Sequence, residues 1–223
     1  MQTTSDRYGT GQRPDDAAAL PDLTRFLLEY RFGIEEVSTK LRILQEEFLA
    51  LHDYNPIEHV SARLKDTPSL LDKVARRGVD RSLPAIRAAV TDIAGLRVTC
   101  TFESDVYRVL GMLTRQADLD VVRIKDYIAA PKPNGYRSLH LIATVPVFMT
   151  ESVVAVPVEV QLRTVAMDFW ASLEHKILYK YRGDTPADVR ETLREAAATA
   201  RSMDTAMEQI HAQLHGRRDA DAR

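Results

Sequence analysis

The stretch DYIAAPKPNGYRSLH, residues 126–140, has the composition of a loop that could bind a polyanion. Its Asn-Gly pair at 134–135 predicts a tight backbone turn. Lys132 and Arg137 would supply positive charge, and Tyr136 offers a flat face on which a nucleobase could stack for roughly 1–3 kcal/mol. A turn pattern says nothing about ligands, so a solvated hairpin loop with an ordinary tyrosine is an equally open interpretation of this stretch.

Two acidic residues lie on or beside predicted strands, and together they could hold a metal ion. Glu159 interrupts the apolar run VVAVPVEVQL. A buried, unpaired carboxylate there would cost several kcal/mol, so Glu159 needs a metal ion, a cation or an open cleft, unless it lies exposed at the edge of a sheet. Asp92 stands at the start of another predicted strand, where a carboxylate can face a pocket instead of the core.

The chemistry that fits these residue types is magnesium-dependent phosphoryl transfer. Mg²⁺ in proteins takes one or two carboxylates together with phosphate oxygens, and nearby cations offset the remaining negative charge. Residues 57–97 are rich in Lys and Arg, although such runs are usually solvated helix faces. Arg63 and Lys65 differ, because they are two residues apart in an extended-looking segment and point to the same side. Residues 67–69, TPS, predict the start of a short helix whose N-terminus could receive a phosphate.

The composition sets limits on the kind of protein. A chain of 223 residues with 45% hydrophobic and 28% charged residues suits one globular domain with appendages. The net charge of -2 gives no overall attraction to nucleic acid or to anionic membranes, so any anion site must be local. The single cysteine, Cys100, excludes an internal disulfide and a cysteine-built zinc site. The chain lacks a membrane-length apolar run and a secretory signal, which predicts a cytoplasmic protein.

Helices and strands that could position these residues are predicted from the apolar spacing. Residues 1–20 show no periodicity and should form a mobile tail. Helical spacing starts at Ile34 and ends before Asn55, and further helices are expected from residue 67, after a cap at Ser104, over 164–181 and from Pro186. Strands are expected at 92–100, 119–124, 138–147 and 153–162. Pro157 indicates that the last strand lies at an edge or a bulge in that region.

The final predicted helix has apolar residues at alternating spacings of four and three, as in a coiled coil. This seam runs through Val189, Leu193, Ala196, Ala200, Met203, Met207, Ile210 and Leu214. The helix should therefore pack along another helix, which could belong to the same chain or to a neighbour.

Four segments in order closely resemble the synthetase domain of the RelA/SpoT homologue superfamily: HVSARLKDTPSLLDKVARRG, TDIAGLRV, KDYIAAPKPNGYRSLH and VEVQLRTVAMDFWASLEHKILYKY. In size the chain is similar to the single-domain small alarmone synthetases, and the resemblance covers residues 30–210. It implies an α/β (α+β) fold, a nucleotidyltransferase-like mixed sheet flanked by helices. The synthetase domain would occupy residues 21–215, with a frayed C-terminus at 216–223. The implied activity is pyrophosphate transfer from ATP to the ribose 3′-hydroxyl of GDP or GTP, giving ppGpp or pppGpp and AMP, without hydrolysis of the product.

The resemblance also implies residue roles. Asp92 and Glu159 would bind Mg²⁺, and Glu159 would also be the catalytic base. The residues implied for ATP are Arg63 and Arg97 on the adenine and Lys65, Ser69 and Lys73 on the phosphates. Those implied for GDP or GTP are Tyr136, stacked on guanine, with Lys125, Lys132, Asn134, His140 and Gln161. Asp92 and Arg97 are an odd number of residues apart and would point to opposite faces of a regular strand. Both can face the site only if Gly95 forms a bulge or if Asp92 lies before the strand.

Family members that are activated by their own product bind it between the subunits of a tetramer. The corresponding positions here are His59, Ser61 and Asp168, and an aspartate would repel a polyphosphate, so we expect no activation of that kind. The last helix still favours a homotetramer. We expect no membrane or DNA partner, and RNA binding stays open. The alternatives are a nucleotidyltransferase with another acceptor and a catalytically idle nucleotide sensor or RNA-binding module on the same fold.

Overall fold

A computed structural model describes residues 15–178 and 185–221, with side chains at 22–178 and 185–214. Its elements in chain order are α1 (Asp15–Leu51), β1 (Ile57–Leu64), α2 (Thr67–Arg77), α3 (Leu83–Ala89), β2 (Ala94–Cys100), α4 (Glu103–Thr114), β3 (Asp120–Asp126), β4 (Leu139–Phe148), β5 (Val153–Thr164), α5 (Val165–Leu178) and α6 (Ala187–Asp221). The strands form a five-stranded sheet in the order β1-β2-β5-β4-β3. Strands β2 and β5 are parallel and the other neighbours are antiparallel, so the predicted mixed sheet flanked by helices is confirmed.

One face of the sheet is apolar and carries α1. Alternate residues of the inner strands, such as Leu96, Val160 and Leu141, are buried in the same cluster as Tyr30 and Leu41 of α1. Successive residues of a strand point to opposite faces, so this alternation leaves the other face free for polar side chains. The apolar spacing that predicts the strands therefore also decides which face can hold a polar site.

Polar side chains of the opposite face line up across all five strands. Strand register places Ser61, Arg97, Gln161, His140 and Lys125 side by side, from β1 to β3. Glu159 lies two residues before Gln161 on β5 and is level with Gly95 of β2 and Ile142 of β4. Directly opposite residues of neighbouring strands lie close together on one face. The strand pairing thus gathers side chains from distant parts of the sequence.

The structure corrects or refines several predicted boundaries. Helix α1 begins at Asp15, so residues 15–20 of the predicted tail are helical, while residues 1–14 lie outside the described residues. At the other end, α6 continues to Asp221 through most of the segment predicted to fray. Helix α5 ends at Leu178, and residues 179–184 lie outside the described residues.

The predicted cap at Ser104 is wrong. Helix α4 begins at Glu103, and its N-cap residue is Phe102. The Asp105 carboxylate accepts a hydrogen bond from the Phe102 amide at 3.2 Å, so an acid inside the first turn satisfies one of the amides that has no partner within the helix. The same carboxylate also accepts from the Tyr54 hydroxyl.

The region around Pro157 is a local edge within a central strand. Strand β5 lies between β2 and β4, but its pairing with β2 begins only at Val158. Residues 153–157 pair with β4 alone, so the proline, which has no amide hydrogen, occupies a stretch without a neighbour on one side.

Helix α6 packs against α5 along the first part of the predicted seam. Leu193, Ala197 and Ala200 contact Trp170 of α5, whose indole Nε1 donates to the Leu193 carbonyl at 3.0 Å. Met203, Met207, Ile210 and Leu214 lie further along the seam and are about half exposed. Among the described residues, this later part of the seam is thus less covered by the rest of the chain than the first part.

The packing of α1 on the sheet gives a testable expectation for stability. Leu41 is fully buried (0% exposed), so Leu41→Ala should lower the free energy of unfolding by about 2–5 kcal/mol through lost burial and a cavity. Leu49, on the same helix, is 73% exposed, and Leu49→Ala should change it by less than about 0.5 kcal/mol. Urea unfolding followed by circular dichroism measures both. Equal losses in the two variants would contradict the described orientation of α1.

Candidate active site

A cavity of about 300 Å³ opens on the polar face of the sheet. It is lined by residues of β1, β2 and β5 and of the two connections that precede α2 and β2. The predicted site residues in its wall are Arg63, Lys65, Asp92, Arg97, Glu159 and Gln161. The structure thus brings together both predicted carboxylates and three of the predicted cations, although the segments that carry them are far apart in the sequence.

Asp92 lies just before β2, which resolves its odd spacing from Arg97 without a bulge at Gly95. Its Oδ2 atom lies 2.6 Å from the Lys73 Nζ atom and 3.3 Å from the Lys65 Nζ atom. Burial alone would raise the pKa of Asp92, but the hydrogen bonds and charges of these lysines outweigh it and hold the pKa below its ordinary value. Its other oxygen, Oδ1, is buried without a hydrogen-bond partner among the described residues. Asp92 is therefore ionised and has one oxygen available for a ligand.

Local structure holds the two lysines on this carboxylate. The backbone amide of Lys65 donates to the Ile93 carbonyl at 2.8 Å, which ties the end of β1 to the start of β2. Lys73 lies on α2, whose first turn is capped by Asp66: its carboxylate accepts from the Ser69 amide at 2.8 Å and from the Ser69 hydroxyl at 2.9 Å. The N-terminus of α2 is thus already occupied by a carboxylate, which a phosphate would have to displace.

Glu159 is the second carboxylate, and it is held by two neighbours on the same face of the sheet. Its Oε1 atom lies 3.0 Å from His140 Nδ1, and its Oε2 atom accepts from Gln161 Nε2 at 3.2 Å. Burial raises the pKa of Glu159, whereas the contacts with His140 and Gln161 lower it, and the balance leaves the pKa below its ordinary value. Glu159 is ionised and placed to accept a proton or to bind a cation.

Tyr136 lies in a closed loop beside this pair. The amide of Lys132 donates to the Tyr136 carbonyl at 3.1 Å, and the amide of Gly135 donates to the Lys132 carbonyl at 2.8 Å. The Tyr136 hydroxyl lies 2.8 Å from His140 Nε2, so tyrosine, histidine and Glu159 form a continuous chain of polar contacts. Lys132 Nζ sits 4.6 Å from the centroid of the Tyr136 ring, and a base that stacks on that face must displace this ammonium group.

The side chain of Asn134 shapes the loop. Its oxygen accepts from the Tyr136 amide at 3.2 Å, and its amide group donates to Glu174 of α5 at 3.1 Å. Gly135 has a positive φ of 89°, and a Cβ atom there would lie 2.5 Å from the Cβ of Ala197 on α6. The loop is therefore seated against α5 and α6, which the sequence pattern does not indicate.

The remaining predicted residues lie around the rim. Arg63 is exposed and forms a 3.8 Å ion pair with Asp66, and strand register puts it on the same face as Arg97. Lys125 is level with His140 on the edge strand β3. His59 is exposed on the other edge strand, β1, near Ser61, whose neighbour on β2 is Arg97.

Sequence reasoning missed Arg163. This arginine is 5% exposed, and its Nη2 atom donates to the Tyr136 hydroxyl at 2.7 Å and to Gln161 Oε1 at 3.0 Å. The signal was present, because Glu159, Gln161 and Arg163 alternate along β5 and share one face. The strand was predicted to end at Leu162, whereas it continues to Thr164.

Among the described residues, no cluster of three or more His, Cys, Asp or Glu side chains could hold a metal ion. Asp92 and Glu159 are two carboxylates in the wall of one cavity, and the negative charge of Asp92 partly opposes the lowering of the Glu159 pKa by His140 and Gln161. This donor set fits Mg²⁺, which needs one or two carboxylates beside phosphate oxygens, better than it fits a metal held entirely by protein.

The chain is similar to known proteins over most of its length. The family described as "Region found in RelA / SpoT proteins" matches residues 62–184. The chain is 44% identical to the GTP pyrophosphokinase YwaC of Bacillus subtilis, with 86% of this chain and 92% of that protein covered. It is 39% identical to the GTP pyrophosphokinase YjbM of the same organism, with 85% and 89% covered.

A solved structure agrees in fold. The crystal structure of the small alarmone synthetase 1 from Bacillus subtilis bound to its product pppGpp superposes with a TM-score of 0.80 at 38% identity. The match covers 86% of this chain and 98% of that chain.

The packing of the Tyr136 loop against α6 can be tested by substituting two glycines that both have a positive φ. Gly135→Ala should lower the free energy of unfolding by about 2–5 kcal/mol, because backbone strain adds to the clash with Ala197. Gly78→Ala has nothing within 4 Å of its new Cβ atom and should cost only the strain, about 1–2 kcal/mol. Chemical denaturation compares the two variants. A loss at Gly135 no larger than that at Gly78 would show that the loop does not press on α6.

Proposed function

The chain belongs to the RelA/SpoT family, and from that premise we propose that it is a GTP pyrophosphokinase that makes guanosine alarmones. It transfers the terminal pyrophosphate of ATP to the ribose 3′-hydroxyl of GDP or GTP, which yields ppGpp or pppGpp and AMP. The observation that carries this proposal is the position of Glu159. Its side chain lies in the wall of the cavity that Asp92 also lines, and it is joined to Tyr136 through His140. A group that removes a proton from the acceptor must lie between the two nucleotides.

Glu159 acts as the general base in this proposal. Its carboxylate removes the proton of the 3′-hydroxyl while that oxygen forms a bond to the β-phosphorus of ATP. The bond between the β-phosphorus and the oxygen that bridges it to the α-phosphate breaks, and AMP leaves with that oxygen. Glu159 is ionised at neutral pH, as a proton acceptor must be, and its lowered pKa makes it a weaker base than an ordinary glutamate, so its position and not its pKa supports the role.

Mg²⁺ would be held by Asp92 and Glu159, and when bound it would neutralise charge on the transferring phosphates. The orphaned Oδ1 of Asp92 supports this assignment, because a buried carboxylate oxygen without a partner among the described residues is otherwise unfavourable. Lys65 and Lys73 already offset the charge of Asp92 and would shift towards the phosphates of ATP.

The substrates would occupy opposite ends of the polar face. Arg63 and Arg97 would enclose the adenine, with Lys65, Lys73 and Ser69 near the ATP phosphates. Tyr136 would stack on guanine once Lys132 moves from its ring, and His140, Gln161, Lys125, Lys132 and Asn134 would surround the rest of the acceptor. Gln161 lies in the middle of the polar row that runs from Ser61 to Lys125, with Arg97 on one side and His140 on the other. This continuous row supports the binding of both nucleotides along one face of the sheet.

We also propose a cytoplasmic homotetramer without membrane or DNA partners. In the described part of the chain, no helix combines the length and the apolar character needed to cross a bilayer. Apolar side chains on α5 and α6 are 49–64% exposed, which supports contact with other subunits. They are Phe169, Ile177, Met203, Met207, Ile210 and Leu214.

The activity is tested by incubating the pure protein with ATP, Mg²⁺ and GDP or GTP and separating the nucleotides. We expect AMP and a guanosine 3′-diphosphate product in equal amounts. Glu159→Gln should lower kcat by at least about 100-fold, because a general base contributes roughly 10²–10⁴ in rate, while circular dichroism and the unfolding midpoint stay close to those of the wild type.

The matched control is Asp120→Asn, which also removes one strand-borne carboxylate but lies exposed on β3, and it should leave kcat unchanged. ATP cleaved to pyrophosphate would indicate a nucleotidyltransferase with another acceptor, and binding without turnover would indicate an idle sensor or an RNA-binding module. Either result, or an active and well-folded Glu159→Gln variant, would overturn the proposal.

The proposed assembly predicts a tetramer mass in sedimentation equilibrium. Met207 is 53% exposed on the apolar stripe of α6, so Met207→Glu should shift the mass towards smaller species by burying a charge at the contact. Thr205→Glu places the same charge on another side of the same helix and should keep the tetramer. A monomeric wild type at all concentrations would refute the tetramer.

A further inference from the structure

Asp168, at the start of α5, contacts the donor side and the acceptor side of the site with a single oxygen atom. Its Oδ1 lies 3.3 Å from Nη1 of Arg97 and 3.1 Å from Nη1 of Arg163. Building on the proposed function, we propose that Asp168 is a positioning residue that couples the binding of ATP to the binding of GDP or GTP.

On the donor side, Asp168 holds the guanidinium group of Arg97. Strand register leaves Arg97 on the polar face beside the cavity, and its side chain is part-exposed. Its Nε atom is buried without a hydrogen-bond partner among the described residues. The contact with Asp168 therefore sets the plane of a long side chain that would otherwise sample several rotamers. The Arg97 side chain is still 41% exposed, so a purine that stacks on it would restrict it further.

On the acceptor side, Asp168 acts through Arg163. Arg163 is buried, and a buried cation needs a nearby negative charge. Asp168 supplies that charge to one end of the guanidinium group. The other end donates to the Tyr136 hydroxyl at 2.7 Å and to Gln161 Oε1 at 3.0 Å. The ring proposed to stack on guanine and the amide beside the proposed base are thus held by a group that Asp168 neutralises.

The coupling follows from the shared oxygen. Two guanidinium groups repel each other, and one carboxylate keeps both in place, so movement of either changes the position that suits the other. A nucleotide that orders Arg97 also orders Asp168, Arg163 and Tyr136. The second nucleotide then loses less conformational entropy on binding, which is positive cooperativity without a large structural change.

The test measures the dissociation constant of GDP by titration calorimetry in Mg²⁺ buffer, with and without saturating α,β-methylene ATP, which cannot transfer its pyrophosphate. In the wild type, the ATP analogue should tighten GDP binding by at least about fivefold, the lower end of usual coupling between sites. In Asp168→Ala that factor should fall to within about twofold of one, and KM should rise for both substrates more than kcat falls. Asp168→Asn keeps an acceptor oxygen without the charge and should give an intermediate factor.

Asp118→Ala is the control, because it removes a carboxylate paired with Lys40 away from the site and should keep the wild-type factor. An unchanged factor in Asp168→Ala would overturn the inference, as would an active wild type in which the analogue does not change GDP affinity. If Asp168→Ala does not fold, the wild-type factor in Asp168→Asn would overturn it equally. A wild type that makes no AMP from ATP and GDP refutes the proposed function instead, so the two failures are distinct.

Discussion

The ionised carboxylate of Glu159 in the middle of the sheet is the constraint on which the site depends. Left unpaired at that depth it would cost several kcal/mol, and a hydrogen bond to a charged group returns only about 1.5–3 kcal/mol. Two such contacts, from His140 and Gln161, are needed to keep the carboxylate charged. Each partner is fixed in turn, His140 by Tyr136 and Gln161 by Arg163. The polar face is therefore a connected network and not a set of independent side chains.

The sheet order explains why this network can serve two nucleotides. Strand β5 carries Glu159 and lies between β2, which contributes Arg97, and β4, which contributes His140. A carboxylate on an edge strand would have a neighbour on one side only. The apolar alternate residues of the same strands bind α1 on the other face, so the same period of two that forms the core also aligns the polar side chains.

Sequence reasoning was sufficient for the fold class, for four of the five strands of the described sheet and for most residues of the cavity, because the apolar alternation and the family motifs are strong. It gave β1 only as an extended-looking segment and did not predict α3. It failed where a local hydrogen bond at a helix end, or a contact between distant segments, decides the outcome. Ser104 resembles a cap, yet the N-cap residue is Phe102 and Asp105 accepts from its amide, and Arg163 was missed because the predicted strand stopped at Leu162. The α2 N-terminus looked free, but a local hydrogen bond from Ser69 to Asp66 fills it. The role of Asp168 depends on two arginines that only the folded chain brings together.

The contact between Gly135 and Ala197 has a consequence for how the protein is made. The ribosome produces the loop that carries Tyr136 well before it produces α6, so a growing chain holds the loop without the helix that seats it. Domains form as units once their contacting segments exist. The seating of this loop is thus completed late in translation, and a nascent chain has the strands and carboxylates of the site before it has the helix that supports the loop proposed to bind guanine.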